Sequence, residues 1–168
     1  SEIILRDKQL CNLSEVIIRE DDTPDTLARK VKIAAILGTF QATLTKFDFV
    51  SEKWRKNTAE EALLGVSLTG IMDNAFFGTD SELLVAGLEA LREHARVVNE
   101  EWAEKLGINP STAITCVKPS GTVSQLCDTA SGIHARHNTH YIRTVRVDKK
   151  DPLYQFMIDR GFNTEDCQ

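Results

Sequence analysis

The chain has 168 residues, of which 42% are hydrophobic and 27% charged, and its formal net charge is −5. This composition is typical of a globular protein with its own hydrophobic core. The acidic balance argues against nucleic acid as a partner, and no apolar run approaches the ~20 residues that cross a bilayer, so a membrane is not expected either. Four cysteines without a C-x-x-C pair indicate a reducing, cytoplasmic location.

The first predicted elements are a strand and a long helix. Residues 12–19 end in β-branched apolar side chains, which is typical of a strand. A helix over 25–45 follows, because apolar residues recur there at helical spacing. Asp22 or Thr23 is expected to cap it, and Pro24 suits its first turn.

The middle of the chain is predicted to hold a short helix, a strand and the longest helix. Thr58 and Glu61 have the spacing of a capping box, so a helix is expected to begin at Thr58 after a loop. Apolar and polar residues alternate between two glycines and predict a strand over 65–71. Apolar residues at every third or fourth position predict a helix over 79–108, capped by Asp80 or Ser81.

Two further strands, over 111–118 and 139–147, and a helix over 152–161 complete the pattern. Strands separated by long helices indicate βαβ units, and therefore an α/β fold with mainly parallel strands and connecting helices. Ligands of such folds bind at the carboxyl ends of the strands. The end of the strand over 111–118 is therefore a candidate binding site.

That strand runs into the segment CVKPSGTVSQL, which is rich in hydroxyl groups. We call the following residues the hydroxyl loop: Pro119, Ser120, Gly121, Thr122, Val123 and Ser124. Its glycine allows a ligand to approach the backbone, and its hydroxyls and the N–H groups of a following helix suit a phosphate. The segment is not a Walker loop. A capped turn between a strand and a short helix explains the same residues.

The cysteines and the first glutamate have two interpretations each. Cys11, at the beginning of the first strand, is either a small buried hydrophobic residue or a reactive thiol. Glu2 is by itself an ordinary solvated carboxylate. Cys116 and Cys127, on either side of the hydroxyl loop, are interpreted as packing residues.

Three histidines, His134, His137 and His140, recur at intervals of three. Such a cluster suggests zinc. The glycine before it and the predicted strand after it do not favour a helix that would place the three rings on one face. No metal is therefore expected.

Four segments, in this order and spacing, resemble the ribonucleotide reductases: SEIILRDKQLCNLSEV, LLGVSLTGI, KPSGTVSQL and SGIHARHNTHYIRTVRV. The similarity is greatest to the adenosylcobalamin-dependent class (class II), in particular its monomeric ribonucleoside-triphosphate reductase type. The resemblance implies that residues 1–168 are a fragment of a single catalytic domain, the C-terminal part of a ten-stranded α/β barrel. It also implies radical reduction of ribonucleoside triphosphates or diphosphates to 2′-deoxyribonucleotides.

The resemblance further implies roles for individual residues. Glu2 matches the glutamate that accepts the 3′-hydroxyl proton, Cys11 matches one of two reducing cysteines, and the hydroxyl loop matches the segment that binds the substrate phosphates. The implied cofactor is adenosylcobalamin. The implied partners are the upstream half of the barrel and a thioredoxin-like reductant that acts through a C-terminal tail outside this chain.

Ser1 matches the residue directly after the radical cysteine of the family, so the chain alone is expected to be inactive. An intein junction, a truncation or an incomplete gene model would each explain this start. Two other hypotheses stay open: a nucleotide-binding module without redox activity, and a remnant that does not fold because its barrel is incomplete.

Overall fold

The protein is described by a computed structural model over residues 3–78 and 81–167, with the backbone alone at Ser81. The chain divides into two compact units, Ser1–Arg136 and His137–Gln168. The helices and strands of the first unit are β1 (Asn12–Ile17), α1 (Pro24–Ala42), α2 (Glu52–Glu61), β2 (Leu64–Thr69), α3 (Ser81–Leu106) and α4 (Val123–Leu126), with 3₁₀ turns at Ile71–Asp73 and Ala75–Gly78. The second unit contains α5 (Pro152–Asp159).

Strands β1 and β2 form a parallel pair, and α1 and α2 connect them. The register sets Leu13 against Gly65 and Ile17 against Thr69. A third segment pairs with the other edge of β2 through a parallel bridge between Val66 and Thr115. The α/β class and the parallel pairing predicted from the sequence are therefore confirmed, although the strand expected over 111–118 is reduced to this bridge.

The helices cover one face of the sheet. Val16 and Val66 point from the two strands into a buried cluster that also contains residues of α1 and α3, among them Ala35 and Val98. Each fully buried aliphatic side chain of this kind stabilises the fold by roughly 1.5–3 kcal/mol. Because successive strand residues point to opposite faces, the residues next to Val16 and Val66 in each strand point away from the helices.

Helix α1 begins as its sequence predicts. The Thr23 hydroxyl accepts a hydrogen bond from the Thr26 backbone N–H, the Thr26 hydroxyl accepts one from the Thr23 N–H, and Pro24 occupies the first turn. Helix α3 ends before Gly107, whose φ of +67° favours glycine. Asp80, one of the caps expected for α3, lies outside the described residues.

Helix α2 begins six residues earlier than the capping-box prediction places it, so that prediction is wrong. The helix starts at Glu52, after the extended Ser51, and ends where Ala62 adopts a left-handed conformation with φ of +45°. Thr58, the expected cap, is instead buried inside the helix. The polar residues read as a loop form the first turns of this helix, where Glu52 and Arg55 form an ion pair.

The strand predicted over 139–147 is also wrong, because this segment has no regular secondary structure. Its β-branched residues are exposed, with Ile142 98% and Val145 73% accessible. Within the described part of the chain no strand pairs with it. A strand without a hydrogen-bonding neighbour is not stable by itself, whatever its propensity.

Asn99 links three parts of the first unit through a buried amide. Its Nδ2 donates to Thr39 Oγ1 at 2.9 Å, and its Oδ1 accepts from the Ser111 N–H at 2.8 Å. Replacing Asn99 with alanine removes the hydrogen-bond partner of both groups. We therefore expect the free energy of unfolding to fall by about 2–4 kcal/mol. Chemical denaturation measures this effect. The same change at the exposed Asn109 should cost under about 1 kcal/mol, and equal losses would contradict this role of Asn99.

Candidate functional site

The sheet face opposite the helices carries polar and small residues together with two large apolar ones. By strand alternation it includes Leu13, Glu15 and Ile17 of β1, and the β2 residues paired with them are Gly65, Ser67 and Thr69. Ser67 and Thr69 are almost completely buried. We call this surface the site face, and β2 forms its middle row.

Gly65 is the point at which two thiols come together. A Cβ atom at this glycine would lie 3.1 Å from Cys11 Sγ and 3.0 Å from Cys116 Sγ. The distance between the two sulfur atoms therefore cannot exceed the sum of these two distances. Cys11 precedes β1, whereas Cys116 follows the bridge on the opposite edge of β2. The missing side chain of Gly65 provides the space that both thiols share.

A buried ion pair occupies the next position of the site face. Glu15 lies opposite Ser67 in the strand register, and its side chain is 7% exposed. Lys118 Nζ lies 3.6 Å from Glu15 Oε2, and the Lys118 backbone N–H donates to Ser67 Oγ at 3.0 Å. Strand β1 and the segment that bridges to the other edge of β2 thus each supply a charged side chain at the level of Ser67.

The hydroxyl loop follows Lys118 directly and contains buried hydroxyl groups without hydrogen-bond partners. Ser120 and Ser124 are at most 2% exposed, and neither Oγ atom has a partner. Thr129, just after helix α4, is in the same situation. Ser120 also has a φ of +53°, a strained value for a residue with a side chain. Unsatisfied buried hydroxyls are costly, and such groups are often completed by a ligand or water.

The backbone of the loop offers further donors. In the described residues, no acceptor is found for the N–H groups of Gly121, Thr122 and Val123, which begin the turn into α4. Gly121 is exposed, and a Cβ placed on it would meet nothing within 4 Å. The loop therefore combines backbone donors, hydroxyls and an open approach, a combination that suits an anion.

Arg136 fixes the segment after α4 to the 3₁₀ turn that follows β2. Its Nε donates to Asp73 Oδ1 at 3.0 Å, and its Nη1 donates to Asp128 Oδ1 at 2.8 Å. The hydrogen bonds to Asp73 and Asp128 raise the pKa of Arg136, and the bond from Arg136 lowers the pKa of Asp128. The Arg136 guanidinium is therefore already paired with protein carboxylates.

The site face brings together some of the residues predicted from the sequence. Cys11 lies on the site face beside Gly65. Lys118 lies two residues after Cys116, and the hydroxyl loop begins directly after Lys118. Glu2 lies outside the described residues. The role of each of these residues stays a prediction.

Sequence reasoning missed three features of the site: Gly65 as a shared space, Cys116 as a neighbour of Cys11, and the buried pair of Glu15 and Lys118. One signal was available for Glu15, because an acidic residue inside an apolar strand requires a partner. Another was the two-residue period that puts Cys116 and Lys118 on one face. Which strands are neighbours was not readable from the sequence.

Other candidate sites are less suited to a polar ligand. A cavity of about 450 Å³ is lined mainly by apolar residues such as Val31, Leu68, Leu88 and Ile133, and it also borders Ser67, Cys116 and Arg92. Within residues 3–78 and 81–167 no three histidine, cysteine or acidic side chains converge as metal ligands. No helix in the same ranges is both long and apolar enough to span a membrane.

Known proteins similar to this chain are adenosylcobalamin-dependent ribonucleoside-triphosphate reductases. The chain is 30% identical to the one from Lactobacillus gasseri, over 98% of this chain and 25% of that protein. It is 28% identical to the one from Euglena gracilis, over 97% of this chain and 22% of that protein. The chain thus spans about a quarter of the length of these relatives. No family model matches it.

Comparison of structures supports the fold. The crystal structure of a B12-dependent (class II) ribonucleotide reductase matches 79% of this chain with a TM-score of 0.60 and 22% sequence identity, over 22% of that protein. At this identity the match concerns the fold alone. The resemblance drawn from the four sequence segments is confirmed by the reductases that match along nearly the whole chain.

Proposed function

We propose that this chain, a homologue of the adenosylcobalamin-dependent ribonucleoside-triphosphate reductases, is the part of such an enzyme's catalytic domain that holds the substrate and supplies one reducing thiol. The reaction is the reduction of ribonucleoside triphosphates to 2′-deoxyribonucleotides. The observation that carries the proposal is the site face. There the Cys11 thiol lies beside Gly65, and the strand on the other side of β2 leads through Cys116 into a loop whose buried hydroxyls have no partner.

The substrate is proposed to lie along the third strand segment. Its phosphates accept hydrogen bonds from the N–H groups of the hydroxyl loop, from Gly121 to Val123, and from the Ser120 and Ser124 hydroxyls. Its ribose then extends toward Gly65 and Cys11. Fixing the anionic end in this way holds the sugar against the thiol in one orientation, which is how positioning lowers a reaction barrier.

The thiol and a carboxylate supply the proton transfers. Cys11 protonates the departing 2′-hydroxyl, which leaves as water, and Glu2 accepts the 3′-hydroxyl proton. Oxidation of Cys11 and a second thiol to one disulfide releases the two electrons with which C–OH is replaced by C–H. In the family pattern that second cysteine belongs to the upstream half of the barrel.

The remaining parts of the enzyme are proposed from the family. Adenosylcobalamin supplies the radical that starts the reaction. The thiols beside Gly65 fit such chemistry, because a thiol S–H bond exchanges a hydrogen atom readily with ribose C–H. We assign no residue of this chain to cobalamin contact. Residues 1–168 form part of one ten-stranded barrel domain, and a thioredoxin-like protein regenerates the dithiol in the cytoplasm.

The proposal is tested by assaying the complete protein with adenosylcobalamin, a dithiol reductant and either CTP or CDP. Chromatography of the products should show the 2′-deoxy form of the triphosphate, and less or none from the diphosphate. Binding of both nucleotides without reduction would instead identify a nucleotide-binding module without redox activity. Reduction of CDP alone would contradict the assignment of a triphosphate substrate.

Ser124 offers a direct test of the hydroxyl loop. Its hydroxyl is fully buried and has no partner, so Ser124→Ala should leave the free energy of unfolding within about 1 kcal/mol of the parent. We expect the KM for the triphosphate to rise about tenfold, because one hydrogen bond to a charged group is lost. Steady-state kinetics and denaturation measure the two effects. An unchanged KM would remove Ser124 from the phosphate site.

A further inference from the structure

Glu15 is an unusual residue for its position in the fold. Its side chain is 93% buried, and neither carboxylate oxygen has a hydrogen-bond partner. In the described part of the chain, Lys118 is the one cation within ion-pair distance, and its Nζ at 3.6 Å is too far for a good hydrogen bond.

Such an arrangement adds little to stability. Removing the Glu15 carboxylate from water costs several kcal/mol, and that cost is repaid only when its remaining hydrogen-bonding capacity is used. Two apolar residues of similar volume would pack at least as well. Lys118 keeps 24% of its side chain exposed, so this side chain remains open to a ligand beside the buried Glu15 carboxylate.

The pair lies between the two ends of the proposed substrate site. The two thiols lie beside Gly65 of β2. Glu15 and Lys118 lie beside Ser67, two residues further along the same strand. The hydroxyl loop begins at the residue after Lys118. Two residues of a strand span about 6.6 Å. This step matches the extent of a ribose and its 5′-linkage, so the level of Ser67, where Glu15 and Lys118 meet, suits the first phosphate.

We propose that Lys118 contacts the phosphate next to the sugar, and that Glu15 is the positioning residue that fixes the Lys118 ammonium. This inference rests on the proposed function and adds a cationic contact to the hydroxyl loop. Lysine binds phosphate as a point charge, and its direction must therefore be set by a neighbour. Arg136 does not compete for this role, because it is occupied by Asp73 and Asp128.

The test uses the complete protein and two anions, inorganic triphosphate and CTP. Lys118→Met should weaken binding of both by roughly ten- to hundredfold in calorimetry, because a hydrogen bond to a charged group is lost. Lys118→Arg should recover most of that affinity. Lys30→Met is the matched control, since Lys30 pairs with the similarly buried Asp22, in the turn before α1, and not with Glu15, and should leave both affinities within about twofold.

Glu15 is tested by the relation of kcat to KM. In Glu15→Gln the ammonium keeps its charge and loses its fixed direction, so kcat should fall about tenfold while KM for CTP stays within about threefold. If Lys118→Met and Lys30→Met bind inorganic triphosphate equally well, the phosphate contact is wrong. If Glu15→Gln leaves kcat unchanged, the positioning role is wrong.

The reductase activity and the Lys118 phosphate contact are tested by separate measurements. Deoxynucleotide formation by the parent protein tests the proposed function before any variant is compared. Binding of inorganic triphosphate requires no redox chemistry, so an active parent with an unaffected Lys118→Met overturns the inference alone. An inactive parent in which Lys118→Met still loses triphosphate binding overturns the reductase assignment and keeps the anion contact.

Discussion

Replacing Cys11 with serine is expected to reduce deoxynucleotide formation by the complete protein by more than about a thousandfold. A hydroxyl cannot be oxidised to a disulfide, so the two electrons for the reduction are no longer available. Serine is also a far weaker acid than a thiol, and loss of a positioned acid alone typically costs 10²–10⁴-fold in rate. The measurement is chromatographic quantification of product per enzyme, with CTP affinity measured in parallel.

Cys127→Ser is the matched control for this prediction. Cys127 is also half-buried and sits at the end of helix α4, where its backbone N–H donates to Val123 O at 3.0 Å. We expect this variant to keep the parent activity within about twofold, because a surface-near thiol-to-hydroxyl change is small. Turnover by Cys11→Ser at a rate near that of Cys127→Ser would remove Cys11 from the redox chemistry and favour a binding module.

Affinity separates a catalytic loss from a structural one. Cys11 lies beside Gly65, whereas the phosphate contacts are assigned to the hydroxyl loop, so Cys11→Ser should bind CTP within about threefold of the parent. A parallel loss of affinity and activity would mean that the substitution disturbs the site face as a whole. The role of Cys11 would then rest on resemblance alone.

Local signals in the sequence predicted the elements that depend on local interactions. Helix α1 carries its own start signal, since the Thr23 and Thr26 hydroxyls accept from N–H groups at its start and Pro24 has no N–H that needs a partner. Helix α2 lacks such a signal. Ser51 makes no side-chain capping bond, and the apparent capping box at Thr58 lies inside the helix. Thr58 is instead buried, and burial is not a local property that the sequence pattern reports.

The segment over 139–147 shows the same limit for strands. Its alternating β-branched residues have strand propensity, yet a strand exists only when a neighbour supplies hydrogen bonds along its edge. The described chain provides β2 as a partner for β1 and a bridge at Thr115, and provides none for Ile142 or Val145. Propensity was readable from the sequence, but the pairing was not.

The candidate site was predictable only in its chemistry. The residue types of the hydroxyl loop indicated an anion from the sequence alone, because hydroxyls and a glycine suit a phosphate in any register. Cys11 lies near Cys116 because β1 and the bridging segment at Thr115 lie on opposite edges of β2. These residues are 105 positions apart in the sequence. No pattern in a single sequence reports that two residues so far apart are close in space. The role of Gly65 becomes visible only when both thiols are found beside it.

Gly65→Ala is expected to damage both the fold and the activity through one added carbon atom. The new Cβ would lie 2.5 Å from Leu13 Cδ2 and 3.0 to 3.1 Å from the sulfurs of Cys116 and Cys11, so at least one of them must move. Alanine normally stabilises a strand relative to glycine by about 0.4–1 kcal/mol. Overpacking costs about 1–3 kcal/mol, which outweighs this gain. We expect a net loss of roughly 1–2 kcal/mol in chemical denaturation.

The effect on activity should exceed the effect on stability. A displacement of a reacting group by about 1 Å can cost a hundredfold in rate, so Gly65→Ala should lower kcat by about that factor in protein that is fully folded at the assay temperature. Gly78→Ala is the matched control, because a Cβ at that exposed glycine meets nothing within 4 Å and its φ is not positive. The control should keep the parent stability and kcat. Parent-like kcat in Gly65→Ala, with the thiols alkylated at parent rates, would mean that the space above Gly65 is not where Cys11 acts.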